Sequence, residues 1–242
     1  MSHAPARAER APRAQRELHA LVLVLVGGTL LKLAISGDYQ RYVKVGLRPY
    51  LIAAALVVLV VAVASLFSRG SAHGHAHGRF DVAWLLVLPT LAVLLIAPPA
   101  LGSFSASRSG TALAASSSAL GPLPDGDPVK ISVLEYASRA VYDHGHSLTG
   151  RHVALSGFVL PGDGGGWYLT RMVITCCAAD AQPVKVGLTG TLPPGLQANN
   201  WITVTGAYLD RTDQDPVNGG PIPYLTVASA APITAPAAQY DS

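Results

Sequence analysis

Three long apolar stretches in the N-terminal part constrain the fold of this chain more than any other feature of its sequence. They run over residues 18–35, 47–67 and 80–101. A helix needs about 20 apolar residues to cross the hydrocarbon core of a bilayer, and the second and third stretches meet that length. The first is shorter and carries Lys32 near its end, from where a lysine side chain reaches the interface. We therefore predict a multi-pass anchor of about three helices over residues 18–102, embedded in the lipid bilayer.

The composition agrees with partial exposure to lipid. Half of the residues are hydrophobic and only 13% are charged, whereas soluble domains carry about 25% charged residues. The formal net charge is +3, and the basic residues form no long run with interleaved aromatic side chains. Such a pattern argues against a nucleic-acid partner.

The N-terminal tail, residues 1–17, is basic, which leaves a cleaved signal peptide open as an alternative for the first stretch. No small-residue cleavage site follows, because Lys32, Leu33 and Ile35 occupy that region, so a retained span is favoured. The arginines of the tail and of the loop after the second stretch favour a cytoplasmic N-terminus. Three spans then place the C-terminal domain outside the cytoplasm, in a multi-pass protein of the cell membrane.

The second half of the chain has the pattern of a small β domain. Residues 103–127 are rich in Ser, Ala, Gly and Pro and predict a flexible linker. Residues 128–233 follow as the domain, and residues 234–242 as a C-terminal tail. The domain has one predicted helix, residues 131–142, and five predicted strands, residues 152–160, 167–175, 183–188, 201–209 and 224–230. The predicted fold class is a membrane-anchored α+β protein with an OB-like barrel, and a small β-sandwich is the alternative.

A histidine-rich segment lies between the second and third apolar stretches. His73, His75 and His77 alternate there with small residues. Imidazole is a good ligand for zinc, copper and nickel, although a closed tetrahedral zinc site needs a fourth ligand. We predict weak binding of Zn²⁺ or a similar divalent ion, and the alternative is a polar loop without a metal.

Cys176 and Cys177 are adjacent, and they are the only cysteines of the chain. A disulfide between neighbours strains the peptide that joins them, so two thiols are expected. Thiolates favour zinc, copper(I) and other soft ions, and Asp180 follows at a spacing that one turn closes. The alternative is packing, because neighbours on a strand point to opposite faces and a buried cysteine behaves as a small hydrophobe. A bulge or the end of a strand would bring both sulfurs to one side.

Other candidate residues carry less weight. Arg171 is a possible cation near the thiols, although strand alternation separates it from Cys176 unless the chain bends. His144 and His146 are possible further ligands, but a polar turn is favoured. The sequence contains no phosphate-binding glycine loop, no HExxH motif and no nucleophile elbow, so no catalytic residue is predicted.

Several of these segments together resemble the YcgQ-like family of bacterial membrane proteins. The likeness is carried by the apolar stretches, the histidine-rich segment, the strings RMVITCCAADAQPVKV and WITVTGAYL, and the segment from Pro236 to Tyr240. The family usually ends on adjacent Pro and Tyr, whereas three residues separate them here. Members are predicted to be subunits of a two-component permease, so the resemblance implies a separate multi-span permease protein as partner. It implies no catalytic residues.

The first functional hypothesis is an accessory subunit of a membrane permease that handles a metal ion or a soft, thiol-reactive solute. Three spans are few for an independent transport path, and the spans lack paired acids or bases that would mark an ion route. The second is a membrane-anchored thiol oxidoreductase, which adjacent cysteines disfavour because redox pairs usually have CxxC spacing. The third is an OB-like binding module without a transport role. A non-enzymatic role is favoured.

Overall fold

The computed structural model describes residues 10–67, 85–96, 98–113 and 120–241. The chain forms two compact units. The helical unit comprises residues 1–39 and 45–99, and the β unit comprises Gln40–Lys44 and Ala100–Ser242. The predicted metal ligands His73, His75 and His77 lie outside the described residues.

The helical unit contains three described helices, which are α1 Arg10–Ser36, α2 Arg48–Phe67 and α3 Val87–Ile96. Two of them are long and apolar enough to cross a membrane, over Glu17–Ser36 and Val45–Phe67. The third has 10 residues, fewer than the predicted third stretch. Pro98 and Pro99 follow its end, where the missing amide hydrogens of proline prevent the helix from continuing.

Small residues allow α1 and α2 to pack closely. Ala34, Ala55 and Ala62 are fully buried, and a Cβ added to Gly27 would lie 2.9 Å from Cγ of Leu59. Small residues at such positions are typical of helices that associate in a bilayer, since they let the backbones approach. The other face of α2 leaves large apolar side chains exposed, including Leu56, Val60 and Phe67.

The β unit is a closed five-stranded barrel with two short added strands. The strands are β1 Val129–Lys130, β2 His152–Pro161, β3 Trp167–Val173, β4 Gln182–Gly190, β5 Trp201–Gln214, β6 Pro221–Pro232 and β7 Tyr240–Asp241. The barrel order is β2–β5–β6–β4–β3, and pairing of β2 with β3 closes it. Strands β4 and β6 are parallel, and the other barrel pairs are antiparallel. The OB-like barrel predicted from the sequence is confirmed.

Inward-facing apolar side chains fill the barrel, and one helix covers it. The helix α5, Val133–Tyr142, begins at Ser132, whose Oγ accepts a hydrogen bond from the amide of Glu135. Tyr136 of this helix is fully buried and donates a hydrogen bond to the carbonyl of Tyr224 over 2.7 Å. The same core contains side chains of the barrel strands, such as Leu155, Leu169 and Ile202.

The described parts of the predicted linker are bonded to the barrel. A short helix, α4 Ser103–Ala106, begins it. Thr111 then donates its amide hydrogen to Asp215 over 2.9 Å, and Asp215 forms a buried ion pair of 2.7 Å with Lys185. Asp215 therefore connects this segment, through Thr111, to Lys185 of β4. Loss of either partner would leave an unpaired buried charge, which costs several kcal/mol.

The packing of α1 against α2 makes a testable prediction about Gly27. Replacing Gly27 with Leu should lower the melting temperature of the detergent-purified protein, because the new side chain meets Leu59 and the carbonyl oxygen of Ala55 at 3.3 Å. The expected cost is about 1–3 kcal/mol, as for other overpacked sites. Gly28→Leu is the matched control, since a Cβ at Gly28 meets nothing within 4 Å. Equal effects of the two variants would contradict this packing.

Candidate metal centre

The cysteine pair lies in a turn that directly follows β3. The strand ends at Val173, and a short 3-10 helix, Ala178–Asp180, leads into β4. Ile174 fixes the start of the turn, because its side chain is buried and its amide donates a hydrogen bond to the carbonyl of Asp241 over 3.1 Å. The strand has therefore ended before the cysteines, and strand alternation does not force their side chains apart.

The Asp180 carboxylate closes this turn. Its Oδ1 accepts a hydrogen bond from the amide of Thr175 at 3.0 Å, and its Oδ2 accepts one from the amide of Cys176 at 2.8 Å. The Asp180 amide in turn donates to the carbonyl of Cys177 at 3.0 Å. Charge-assisted hydrogen bonds to a carboxylate are stronger than neutral ones. The carboxylate thus folds the chain back and comes to lie beside the thiols.

The structure brings Cys176, Cys177 and Asp180 together. One ligand atom from each, two sulfurs and a carboxylate oxygen, lie within 4.8 Å of one another. The two Sγ atoms are 3.5 Å apart, and both cysteines are free thiols. Cys176 is exposed, and Cys177 is partly exposed. This group could hold a metal ion that approaches from solvent.

The electrostatics of the turn keep Cys176 protonated when no cation is bound. Its hydrogen bond to the Asp180 carboxylate, and then its contact with Cys177, raise the pKa of the Cys176 thiol to about 11. The same thiol, with the backbone amide of Cys176, lowers the pKa of Asp180. A thiol with a raised pKa is a poor nucleophile at neutral pH. A cation that replaces the proton would compensate the negative charges of both side chains.

A segment distant in sequence pairs with the cysteine turn. The backbone of Gln40–Lys44 belongs to the β unit, and Val43 forms an antiparallel bridge with Cys177. The Lys44 amide donates to the carbonyl of Cys176 at 3.1 Å, and the Ala178 amide donates to the carbonyl of Tyr42 at 2.7 Å. These two bonds hold the backbone on both sides of Cys177.

Tyr240 links the same segment to the barrel. Its side chain is buried, and its hydroxyl donates to the carbonyl of Arg41 at 3.1 Å and accepts from the amide of Leu101 at 2.9 Å. These partners are 199 and 139 residues away in the chain. No local pattern indicates such contacts, and the only sequence signal for Tyr240 was its place in the family resemblance.

The other candidate residues do not join the group. The Arg171 guanidinium is turned toward Asp241, to which it is bonded at 3.0 Å, and lies 5.0 Å from the ring of Trp201. His144 and His146 lie in the turn that follows α5, and neither is part of the cluster.

A small cavity borders the turn on the side of Asp180. It has a volume of about 350 Å³ and is lined mainly by polar residues, among them Ser109, Gln182 and Asn218. Asp180 lines this cavity, and neither cysteine does.

The raised pKa predicts how Cys176 reacts in the metal-free protein. In a Cys177→Ser background, alkylation of Cys176 by iodoacetamide should stay slow at pH 7.5 and rise through pH 9 and above, because only the thiolate reacts. Asp180→Asn should move this profile to lower pH, since the Asp180 hydrogen bond is the largest cause of the shift. Asp210→Asn, at an exposed position, is the control. Identical profiles with and without the Asp180 carboxylate would contradict the interpretation.

Comparison with known proteins places both units in one family. Residues 18–112 match the N-terminal domain of DUF1980, and residues 129–241 match its C-terminal domain. No curated protein matches the chain, and no solved structure matches it. The matched ranges include α1 from residue 18 onward, α2, the whole barrel, the cysteine turn and Tyr240. The chain is therefore a member of the DUF1980 family.

Proposed function

We propose that this protein is a membrane-anchored accessory subunit of a permease whose barrel binds Zn²⁺ or another soft or borderline metal ion through Cys176, Cys177 and Asp180. The observation that carries the metal proposal is the convergence of their ligand atoms within 4.8 Å. Thiolate and carboxylate groups are both established zinc ligands.

The spacing of the sulfurs supports this proposal. Zinc–sulfur bonds are about 2.3 Å long, so two thiolates at a tetrahedral ion lie about 3.8 Å apart. The two sulfur atoms are already 3.5 Å apart, and small side-chain rotations suffice to seat an ion between them. Three protein ligands leave one position open for water or for a transferred ligand. An open position suits capture and release of an ion better than a closed structural site does.

The permease assignment rests on the helices and on the resemblance of the cysteine region. Helices α1 and α2 have the length and apolarity of spans, and the exposed Leu and Val side chains of α2 would face lipid or a partner helix. Few spans and no paired intramembrane charges favour an accessory role beside a separate multi-span permease. The barrel would then collect the ion and present it to that partner.

The pairing of Gln40–Lys44 with the cysteine turn supports a membrane topology. This segment joins α1 to α2 and belongs to the same unit as the barrel, so the two lie on one side of the bilayer. If α2 crosses the bilayer, the chain has to cross once more to reach the barrel. We therefore propose three crossings, with the histidine-rich segment on the side opposite to the cysteines. A cytoplasmic N-terminus places the cysteines outside.

A thiol oxidoreductase is the less favoured alternative. Reactive redox cysteines have a lowered pKa, whereas the pKa of Cys176 is raised to about 11. An OB-like binding module without a metal is the outcome that a negative metal experiment would favour.

The metal proposal predicts one strong site per chain in the detergent-purified full-length protein. The experiment uses a variant with His73, His75 and His77 replaced by Ala, so that only the barrel site remains. It should bind one equivalent of Cd²⁺ with the ultraviolet absorption of cadmium–thiolate, and Zn²⁺ should displace it. Cys176→Ser, Cys177→Ser and Asp180→Asn should each weaken binding at least tenfold, because each removes one of three ligands. Asp210→Asn is the control for Asp180→Asn. Full affinity in the double serine variant would exclude the cysteine site.

The topology proposal predicts that a membrane-impermeant maleimide labels Cys176 or Cys177 in intact cells after mild reduction. Cys176 is exposed, so the reagent can reach it without unfolding. A cysteine introduced at His75 in a background without Cys176 and Cys177 should be labelled only after lysis. Labelling of the native pair after lysis alone, or equal labelling of both positions in intact cells, would contradict three crossings.

A further inference from the structure

We infer that Gln40–Lys44, latched by Tyr240, positions the cysteine turn, so that docking of this segment and metal occupancy of the turn favour each other. The inference rests on the proposed function, because it concerns control of the same metal site. It assigns a role to Tyr240 as a positioning residue rather than as a ligand.

The backbone of the cysteine turn depends on the segment for two of its hydrogen bonds. The carbonyl of Cys176 accepts from the amide of Lys44, and the amide of Ala178 donates to the carbonyl of Tyr42. These groups flank Cys177, so the direction of its Cα–Cβ bond is fixed from outside the turn. Asp180 accepts hydrogen bonds from the amides of Thr175 and Cys176, so it positions the N-terminal side of the turn. The docked segment positions Cys177, and the two supports together hold the sulfurs beside each other.

Tyr240 holds the segment against the strand that leads into the turn. It lies in β7, which pairs with the end of β3 at Met172. Its hydroxyl reaches from there to the carbonyl of Arg41, at the other end of the paired segment. The hydroxyl also accepts from the amide of Leu101, where the chain enters the β unit. One buried hydroxyl therefore bonds the backbone of both Arg41 and Leu101, which are distant in sequence.

The segment is tightly connected to the helices. Three residues, Gly37 to Tyr39, separate the end of α1 from Gln40, and three residues, Val45 to Leu47, separate Lys44 from the start of α2. Tyr39 is buried, and its hydroxyl donates to the carbonyl of Val45 at 3.3 Å, which ties the two connectors together. The segment is therefore bounded by two short connectors that are hydrogen-bonded to each other.

The thermodynamic consequence is reciprocal. If a docked segment orders the turn and so favours the ion, then a bound ion must favour the docked segment by the same free energy. Docking of the segment and binding of the ion both require the turn to lose conformational entropy, so either event reduces the entropic cost of the other.

The test uses Tyr240→Phe in the full-length protein, again with His73, His75 and His77 replaced by Ala. The variant keeps the ring and removes the hydroxyl. Because both hydrogen bonds of the hydroxyl are lost, we expect the Cd²⁺ affinity to fall about 10-fold. Tyr142→Phe is the matched control, because its hydroxyl donates to the carbonyl of Leu113 over 2.8 Å, away from the turn. It should bind Cd²⁺ as the parent does.

Amide hydrogen exchange provides a readout that a merely structural role would not change. In the parent, Cd²⁺ should slow exchange in the peptide that contains Lys44, although this residue is not a ligand. In Tyr240→Phe that protection should be lost, while Cd²⁺ still protects the amide of Cys176. Lys44→Pro, which removes the paired amide hydrogen, should also lower affinity, whereas Lys44→Ala should not.

The outcomes separate this inference from the proposed function. If the parent fails to bind Cd²⁺, the metal proposal itself is wrong. If the parent binds but Tyr240→Phe and Lys44→Pro bind equally well, or Cd²⁺ leaves exchange at Lys44 unchanged, the coupling alone is wrong.

Discussion

The hydrogen bonds that the Asp180 carboxylate accepts from the amides of Thr175 and Cys176 are the constraint on which the candidate centre depends. They fold the chain back after β3 and place a negative charge beside two thiols. A carboxylate there is unfavourable for free thiolates, and this conflict is visible in the raised pKa of Cys176. A bound cation resolves the conflict, because it is attracted to all three groups. The same arrangement that makes Cys176 a poor nucleophile thus makes the turn a reasonable metal ligand set.

The barrel supplies the rigidity that such a turn needs. Closure by pairing of β2 with β3 leaves β3 held by β4 on its other side, and β7 adds to its end. The turn is therefore supported from the barrel at Ile174 and from the distant segment at Cys177. This second support comes from the connection between two apolar helices. A soluble fragment that begins at residue 100 would keep the ligands but lose that support.

Local patterns predicted what depends on near neighbours in sequence. The alternation of Val153 and Leu155 with less apolar residues predicted the position of β2 almost to its ends. The three-residue spacing from Cys177 to Asp180 indicated a carboxylate near the sulfurs. Strands β1 and β7 have two residues each, too few to show any period. The contacts of Tyr240 join parts of the chain that share no local pattern. Sequence patterns therefore predicted the candidate ligands but not the elements that position them.

The central claim is that one ion is bound by two sulfurs and one carboxylate, and X-ray absorption fine structure at the zinc edge tests it most directly. The sample is the full-length protein with His73, His75 and His77 replaced by Ala, loaded with one equivalent of Zn²⁺. For a site of two thiolates and one carboxylate, we expect two sulfur scatterers at about 2.3 Å and oxygen scatterers at about 2.0–2.2 Å. A shell of only nitrogen and oxygen, without sulfur, would contradict it.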